Sequence, residues 1–385
     1  MRFSYFRQWR ACTLASAALV AVILLIACDE PVGGGESGRG PGGVELVFRV
    51  AVSRADNAFV PTSDGQRLYA DVNRRIEAFD LNTGARLWSS ARPPGGPSSL
   101  VARDGWLFFA GDSAVMLDAA TGRERWRTEL DSYASLGESA GDADAVYVGT
   151  REHRVYALRV TDGALLWTRD LGPDWPFGGV VRGMTVSGDT VYAAAEHNTG
   201  VNGYIGTGDV FALDRHTGQV HWLNRNGDGS RLDIYQSAGR AAGRLLLLSA
   251  NSENEYVALD RFTGLEAWRA HGDDPYIGMD EAPEVRGNRA YFAAQDQYAR
   301  AIDLAAGREI WKTRVASGAS NVAPCGNRLL VQDQGLSVLD LASGEMLGRA
   351  YDGSANEYLH TDFVVVGDRA YVFGQRDLYA FRCPS

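Results

Sequence analysis

The sequence has 385 residues, of which 45% are hydrophobic, 22% charged and 10% aromatic, and this composition excludes a disordered or collagen-like chain. Its formal net charge of −10 opposes contact with a phosphate backbone, so we expect no nucleic acid partner. The 45 glycines follow no triplet period, and they indicate many tight turns between β-strands.

The N-terminal segment has the pattern of an export signal followed by a tether. Three arginines within the first ten residues precede an uncharged, largely apolar run over residues 11–27. The run ends in Leu25-Ile26-Ala27-Cys28, which resembles the lipobox of bacterial lipoproteins, whose cysteine is acylated. We therefore predict a signal peptide over residues 1–27, a lipid on Cys28 and a glycine-rich tether over residues 28–43. The alternative is an uncleaved transmembrane anchor. In both cases the protein is exported and faces the periplasm from the inner or the outer membrane.

A repeated phrase fills residues 44–385. Each copy has a strand-like run, a turn of the form Asp-x-x-Thr-Gly or a close variant, and a tryptophan four residues after the glycine. Seven copies follow one another at spacings of 37 to 55 residues, close to the four-strand period of a propeller blade. The seventh copy has Gly348 in place of tryptophan. Six tryptophans are in register and are predicted to be structural: Trp88, Trp126, Trp167, Trp222, Trp268 and Trp311.

The number of strand-like runs predicts how the ring closes. Eight such runs occupy the second position of a blade, but the chain ends at Ser385 before the eighth unit supplies an outer strand. Residues 44–50 match the missing strand, with Phe48 at the tryptophan position. We therefore predict an all-β fold, an eight-bladed β-propeller over residues 44–385, in which the N-terminal strand completes the last blade.

The Asp-x-x-Thr-Gly-x-x-x-Trp phrase resembles the repeat of PQQ-type, or quinoprotein-type, propellers, and the resemblance covers residues 44–385. This group includes quinoprotein dehydrogenases and also lipoproteins similar to BamB, the eight-bladed accessory of the outer-membrane barrel assembly machine. Lipobox, tether, blade number and length match the second branch. The resemblance therefore implies a non-enzymatic scaffold, without a cofactor, that binds an envelope protein such as a barrel assembly protein.

A PQQ-dependent dehydrogenase is the enzymatic alternative. Dehydrogenases of this kind typically carry a vicinal Cys-Cys pair over the cofactor, and this sequence has none. Under this alternative PQQ would stack near an aromatic residue such as Trp175, and channel carboxylates would hold calcium. Asp273, Asp274, Asp280 and Glu281 are the carboxylates considered. We predict no catalytic residues, and the cysteine and histidine spacings support no metal site.

An acid beside an aromatic residue recurs just ahead of the innermost strand in five blades. Rigid aromatic surface combined with carboxylates suits binding of a peptide, a cation or a sugar. The alternatives are packing between blades and, as a third functional hypothesis, a sensor module for a small ligand or glycan. The candidate binding residues are Tyr133, Asp174, Trp175, Phe177, Asp233, Tyr235, Asp274, Tyr276 and Tyr358.

Two cysteines remain after the signal segment. Cys325 and Cys383 fall in turns of blades seven and eight, on the same predicted face of the propeller. In a cell envelope a disulfide between these blades is chemically allowed and would hold the closing blade. The alternative is two separate thiols, because a sequence does not supply the Cα separation that a disulfide requires.

Overall fold

The computed structural model describes the part of the chain that begins at Gly40. The predicted signal peptide, Cys28 and most of the predicted tether lie outside it. Within the described residues no helix is long and apolar enough to cross a membrane. The described residues are 40–52, 61–92, 99–132, 134, 139–173, 178–198, 206–225, 239–250, 255–271, 283–294, 296–316, 319–352, 359 and 361–384.

The chain forms eight four-stranded antiparallel sheets, which are the predicted blades. Strand β1 (Glu45–Ala51) comes first and belongs to blade eight. The others, by blade, are β2 (Thr62–Ser63), β3 (Arg67–Val72), β4 (Arg75–Asp80) and β5 (Arg86–Ala91); β6 (Leu100–Arg103), β7 (Trp106–Ala110), β8 (Ser113–Asp118) and β9 (Glu124–Glu129); β10 (Ala140–Gly141), β11 (Ala145–Gly149), β12 (Arg154–Arg159) and β13 (Leu165–Asp170); β14 (Gly179–Ser187), β15 (Thr190–Asn198), β16 (Gly206–Asp214) and β17 (Val220–Arg225); β18 (Arg240–Ala242), β19 (Leu245–Ala250), β20 (Glu255–Asp260) and β21 (Glu266–His271); β22 (Glu284–Arg286), β23 (Arg289–Ala294), β24 (Tyr298–Asp303) and β25 (Glu309–Arg314); β26 (Ala319–Cys325), β27 (Arg328–Asp333), β28 (Leu336–Asp340) and β29 (Met346–Tyr351); β30 (Val364–Val366), β31 (Arg369–Phe373) and β32 (Asp377–Arg382).

The predicted ring closure is confirmed. Strand β1 pairs antiparallel with β32, with Phe48 opposite Ala380, and thereby supplies the outer strand of blade eight. Without β1, the third strand of that blade would present unpaired N–H and C=O groups. The two ends of the described chain therefore meet in one sheet.

The hydrophobic core lies between the blades. The second and third strands are buried on both faces, so they are nearly continuous apolar runs such as Leu107-Phe108-Phe109 in β7. One cluster joins Tyr69 of blade one to Phe109 of blade two, and another joins Tyr371 of blade eight to Leu68 of blade one. Packing between neighbouring sheets therefore holds the ring together.

Blade four has longer strands than the other blades. Its first three strands have nine residues each, whereas its outer strand β17 has six. The longest insertion in the sequence runs from Glu196 to Gly208, and these two residues pair with each other across β15 and β16. Part of the insertion extends the sheet.

Residues 41–43, which were assigned to the tether, pack against blade seven. Pro41–Gly43 form a single 3₁₀ turn, and Gly42 lies beside Leu347 and Val338. The glycine-rich composition gave no sign of this packing. These residues pack against blade seven because Gly348 has no side chain, and Pro41 occupies the space that this leaves.

Candidate functional site

The strand order gives the propeller two different faces. The turns from first to second strand and from third to outer strand lie at the same end of the blades, which we call the turn face. Blade eight has only the first of these turns, because its outer strand is β1. The connections from second to third strand and from one blade to the next lie at the other end, which we call the loop face. Connecting segments on a rigid scaffold often carry binding functions.

The repeated residues form a clamp between blades on the turn face. Trp88 donates its indole N–H to the carbonyl of Ala119 in the next blade, at 3.0 Å. Its ring covers Gly122, where a Cβ atom would lie 2.5 Å from the indole, and Gly122 has φ of +68°. Four more tryptophans make the same bond, with Val160, Arg215, Arg261 and Leu304 as acceptors. The structural role predicted for these tryptophans agrees with this geometry.

Three of the eight blade interfaces depart from this pattern, and one of them, between blades seven and eight, has Gly348 in the tryptophan position. The indole N–H of Trp311 is buried and has no hydrogen-bond partner among the described residues. At the eighth interface the ring of Phe48 replaces tryptophan over Gly84, where a Cβ atom would lie 2.6 Å from it. Phe48 therefore keeps the packing of the clamp but not the hydrogen bond.

The aspartate of the turn is held in its charged form. In blade two, hydrogen bonds from Arg125 and then from the Thr121 hydroxyl lower the pKa of Asp118 to about 2. In blades one and four the threonine hydroxyl is the leading cause, and it lowers the pKa of Asp80 and of Asp214 below the ordinary range. Charged acceptors make stronger hydrogen bonds, so these aspartates stabilise the turns.

The interface between blades seven and eight has its own connection. Cys325 and Cys383 form a disulfide, with Cα atoms 5.7 Å apart. Gly348 takes the place of tryptophan here, and Pro41 lies against it while Arg328 donates to the carbonyl of Gly42 at 2.6 Å. Of the two alternatives that the sequence leaves open for the cysteines, the structure has the disulfide. The disulfide and the 3₁₀ turn Pro41–Gly43 therefore lie at the one interface where no aromatic ring packs over the glycine of the next blade.

The candidate binding residues of the loop face lie outside the described part of the chain. These are Tyr133, Asp174, Trp175, Phe177, Asp233, Tyr235, Asp274, Tyr276 and Tyr358. The acid preceding one of them is described: Asp131 accepts a hydrogen bond from Tyr156 and pairs with Arg154 at 3.0 Å. Both partners belong to blade three, so this acid joins two blades. For Asp131 the contacts match the packing alternative.

Buried acid–arginine pairs lie close to the loop face, and sequence reasoning missed them. Asp333 is fully buried and pairs with Arg349 at 3.1 Å, while Ser337 donates to the same carboxylate at 2.6 Å. Asp71 pairs with Arg92, and burial raises the pKa of Asp71 although Arg92 opposes the shift. Each pair joins strands of one blade, so these charges position the ends of the strands.

A cavity of about 600 Å³ opens at the centre of the ring, between the inner strands of blades one, five, six, seven and eight. We call it the central cavity. Its charged residues are Arg240, Glu284 and Arg286, and its apolar wall includes Val322 and Val365. Burial raises the pKa of Glu284, whereas its ion pair with Arg240 opposes the shift. No cluster of three or more potential metal ligands occurs in the described ranges.

A sequence profile matches residues 45–132, 72–222 and 206–381, which together span the eight blades. The profile describes the family of outer membrane protein assembly factor BamB. The chain belongs to this family. The predicted resemblance to PQQ-like propellers of the BamB type is thereby confirmed.

Curated relatives in the BamB family have low sequence identity to the chain. BamB of Yersinia pestis is 25% identical over 283 residues, which are 66% of this chain and 65% of that protein. BamB of Burkholderia pseudomallei is 26% identical over 80% of both chains. A quinoprotein ethanol dehydrogenase of Pseudomonas putida is 27% identical, but the match spans only 34% of its length. The chain therefore corresponds to most of a BamB protein and to a part of the dehydrogenase.

Solved structures share the fold with both branches of the group. BamB from Moraxella catarrhalis superposes with a TM-score of 0.64 at 16% identity, covering 88% of this chain and 97% of that one. A quinohemoprotein alcohol dehydrogenase from Comamonas testosteroni gives a TM-score of 0.69 at 14% identity, over 89% and 78% of the two chains. At such identities the similarity establishes the propeller fold and leaves the activity to other evidence.

Proposed function

We propose that the protein is a non-enzymatic scaffold of the cell envelope, anchored to a membrane through Cys28, whose loop face binds a protein partner during assembly of outer-membrane β-barrel proteins. The observation that carries the proposal is the family match across all eight blades. The relatives from Yersinia and Burkholderia are named as outer membrane protein assembly factors, and this name is the basis for proposing that process. The sequence supplies the anchor, because the lipobox cysteine precedes the propeller by only a short glycine-rich segment.

The two faces support a loop-face partner. On the turn face the repeated tryptophans and glycines are committed to contacts between blades, and the repeated aspartates to hydrogen bonds within their own turns. The connections of the loop face vary in length, and their acid–aromatic pairs are not part of that clamp. Aromatic side chains provide large contact areas at low entropic cost, so these connections suit a protein surface.

Affinity purification from native membranes, followed by mass spectrometry, tests the proposal. The wild-type protein should recover an outer-membrane barrel assembly protein. The double substitution Trp175→Ala and Tyr276→Ala should abolish recovery, whereas Phe262→Ala should leave it unchanged. Phe262 is the matched control because it is an aromatic residue of the turn face that is 59% exposed. Recovery of the chain alone, or equal loss with the control, would contradict the proposal.

The anchor is tested separately. Cys28→Ser removes the thiol that would be acylated, so the protein should lose its acyl mass and its resistance to extraction from membranes by salt and alkali. An acylated Cys28 in the wild type, found by mass spectrometry of the N-terminal peptide, supports the lipoprotein. An unmodified residue within an uncleaved N-terminus would instead support the transmembrane anchor.

The similarity to quinoprotein ethanol dehydrogenase keeps a PQQ-dependent dehydrogenase as the second candidate. The residues that this alternative requires, Trp175 and the carboxylates between 273 and 281, lie outside the described part of the chain. Titration with PQQ and calcium, followed by a dye-linked alcohol assay, distinguishes the candidates. A spectral change together with turnover would establish the enzyme, and neither is expected of the scaffold.

A further inference from the structure

The central cavity has the size and the mixed lining of a small-molecule site. Its volume of about 600 Å³ lies within the range of sites for organic ligands, roughly 300–1,000 Å³. Ser63, Gly65 and Gly367, which lie next to turns of the turn face, contribute to its rim. The cavity therefore reaches the turn face, while Pro61, Arg240 and Phe363 extend its lining to the other end of the inner strands.

One wall of the cavity carries a positive charge in a chain that is acidic overall. Arg240 pairs with Glu284, and its Nε donates to the carbonyl of Pro283 at 3.1 Å. Arg286 donates one N–H to the carbonyl of Gly326, and it has no acidic partner among the described residues. The backbone acceptor fixes the guanidinium but does not neutralise it, so Arg286 retains the capacity to bind an anion.

Another part of the lining is apolar, beside the polar residues Thr62 and Ser63. Val364 and Val366 pack into the cluster between blades eight and one. Because side chains alternate along a strand, Val365 points away from that cluster, and it is 38% exposed. Val322 and Phe363 line the cavity beside it. The central cavity thus contains both an apolar surface and the charged side chain of Arg286.

We propose that the central cavity binds a small organic anion with an apolar body, such as a medium-chain carboxylate, whose anionic group contacts Arg286 and whose body lies against Val322, Phe363 and Val365. A cation lacks the ligands it would need, because Glu284 is the one carboxylate among the described residues that line this cavity, and it is paired with Arg240. Burial of the apolar body supplies affinity, and the guanidinium selects for the anion.

The structure offers a matched control for Arg286. Arg103 is the last residue of β6, as Arg286 is of β22, and it donates to the carbonyl of Gly141 in the next blade at 3.2 Å. Each arginine therefore makes the same bond between blades. Arg103 is not among the residues that line the central cavity. Loss of either side chain removes this contact between blades, and loss of Arg103 also removes an exposed ion pair with Asp104 at 3.3 Å. Only Arg286→Gln removes the proposed anion contact.

Isothermal titration calorimetry of the full-length protein in lipid nanodiscs, with empty nanodiscs subtracted, tests the proposal. The probes are sodium octanoate and its neutral analogue octanamide. Octanoate should bind at least tenfold more tightly than octanamide. Arg286→Gln should weaken the affinity for octanoate at least tenfold and abolish the preference for octanoate over octanamide. Arg103→Gln should change the affinity for octanoate less than twofold.

A second variant tests the apolar wall. Val365→Asp places a negative charge where the apolar body would lie, at a position exposed enough to keep the fold, and octanoate binding should be lost with an unchanged melting temperature. No binding of octanoate to the wild type, or equal losses with Arg286→Gln and Arg103→Gln, would overturn the proposal. The Arg286→Gln variant should still recover the loop-face partner in affinity purification. The two experiments therefore test the anion site and the scaffold function separately.

Discussion

Among single residues, two tryptophans in equivalent positions differ in whether the indole N–H makes a hydrogen bond. Trp126 and Trp311 occupy the same place in their blades, and both rings lie over the glycine of the next blade. The N–H of Trp126 donates to the carbonyl of Val160 at 2.7 Å, whereas that of Trp311 has no partner within the described part of the chain. The repeat predicts the position of both rings, but it does not predict this difference in hydrogen bonding.

Substitution by phenylalanine isolates this hydrogen bond. Trp126→Phe and Trp311→Phe remove similar ring area, but only the first leaves a carbonyl without its donor. We expect Trp126→Phe to lower the free energy of unfolding by about 1–2 kcal/mol more than Trp311→Phe. Urea denaturation of both variants and the wild type measures the difference. Equal losses, or a greater loss at Trp311, would show that the indole N–H does not contribute.

The turn aspartates give stability a dependence on pH. The pKa of Asp118 is about 2 in the folded protein and about 3.9 in an unfolded chain. A depressed folded pKa contributes stability that is present above the unfolded pKa and is lost as pH falls through the folded value. Asp118→Asn should therefore reduce the melting temperature at pH 7 and have a smaller effect at pH 3. Thermal unfolding checks this, with exposed Glu345→Gln as control, and an unchanged difference between the two pH values would contradict it.

At the scale of the elements, the clamp between outer strand and neighbouring turn determines how blades pack. Gly122 contacts the ring of Trp88, whereas Gly105, in a turn of the same blade, has open space around it. Both glycines have positive φ, +68° and +80°. The two positions differ in the neighbouring side chain and share the backbone strain that a Cβ atom would add.

Alanine at these two glycines separates strain from steric overlap. Gly105→Ala should cost about 1 kcal/mol, the usual penalty for a Cβ atom at positive φ. Gly122→Ala should cost about 3 kcal/mol or more, because the indole of Trp88 must also move. Chemical denaturation provides both values. Similar losses at the two sites would mean that the clamp tolerates displacement and does not determine the packing.

The sequence predicted elements where the repeat continues and failed where it is interrupted. The strand containing Phe48 was predicted because it restores the missing member of blade eight, and its register with β32 confirms this. The 3₁₀ turn Pro41–Gly43 was missed because it has no apolar pattern. The pair Asp71 and Arg92 was missed because no spacing rule joins residues 21 positions apart on different strands. Such contacts arise only once the sheet has formed.

At the scale of the whole molecule, the ring depends on its closing blade. Blade eight takes its outer strand from the other end of the propeller chain, and it is joined to blade seven by the disulfide between Cys325 and Cys383. A cross-link between residues 58 positions apart reduces the conformational entropy of the unfolded chain. It also prevents blade eight from separating from blade seven by local unfolding.

Removal of the disulfide should loosen the closing blade first. The double substitution Cys325→Ser and Cys383→Ser should lower the free energy of unfolding by about 2–4 kcal/mol, and reduction of the wild type should reproduce the effect. Hydrogen exchange should accelerate in β31 and β32 while β7 and β8 of blade two remain protected. Uniform acceleration across all blades would show that the disulfide stabilises the ring as one unit instead.

Site-specific photo-crosslinking in intact cells tests whether the loop face binds a protein of outer-membrane barrel assembly. A photoreactive amino acid is placed at Tyr133 or Trp175 of the loop face, and at Glu345 of the turn face as the control. We predict crosslinks to a barrel assembly protein from Tyr133 and Trp175, and none from Glu345. Crosslinks to that protein from Glu345 alone, or none from any of the three positions, would show that the loop face does not bind it.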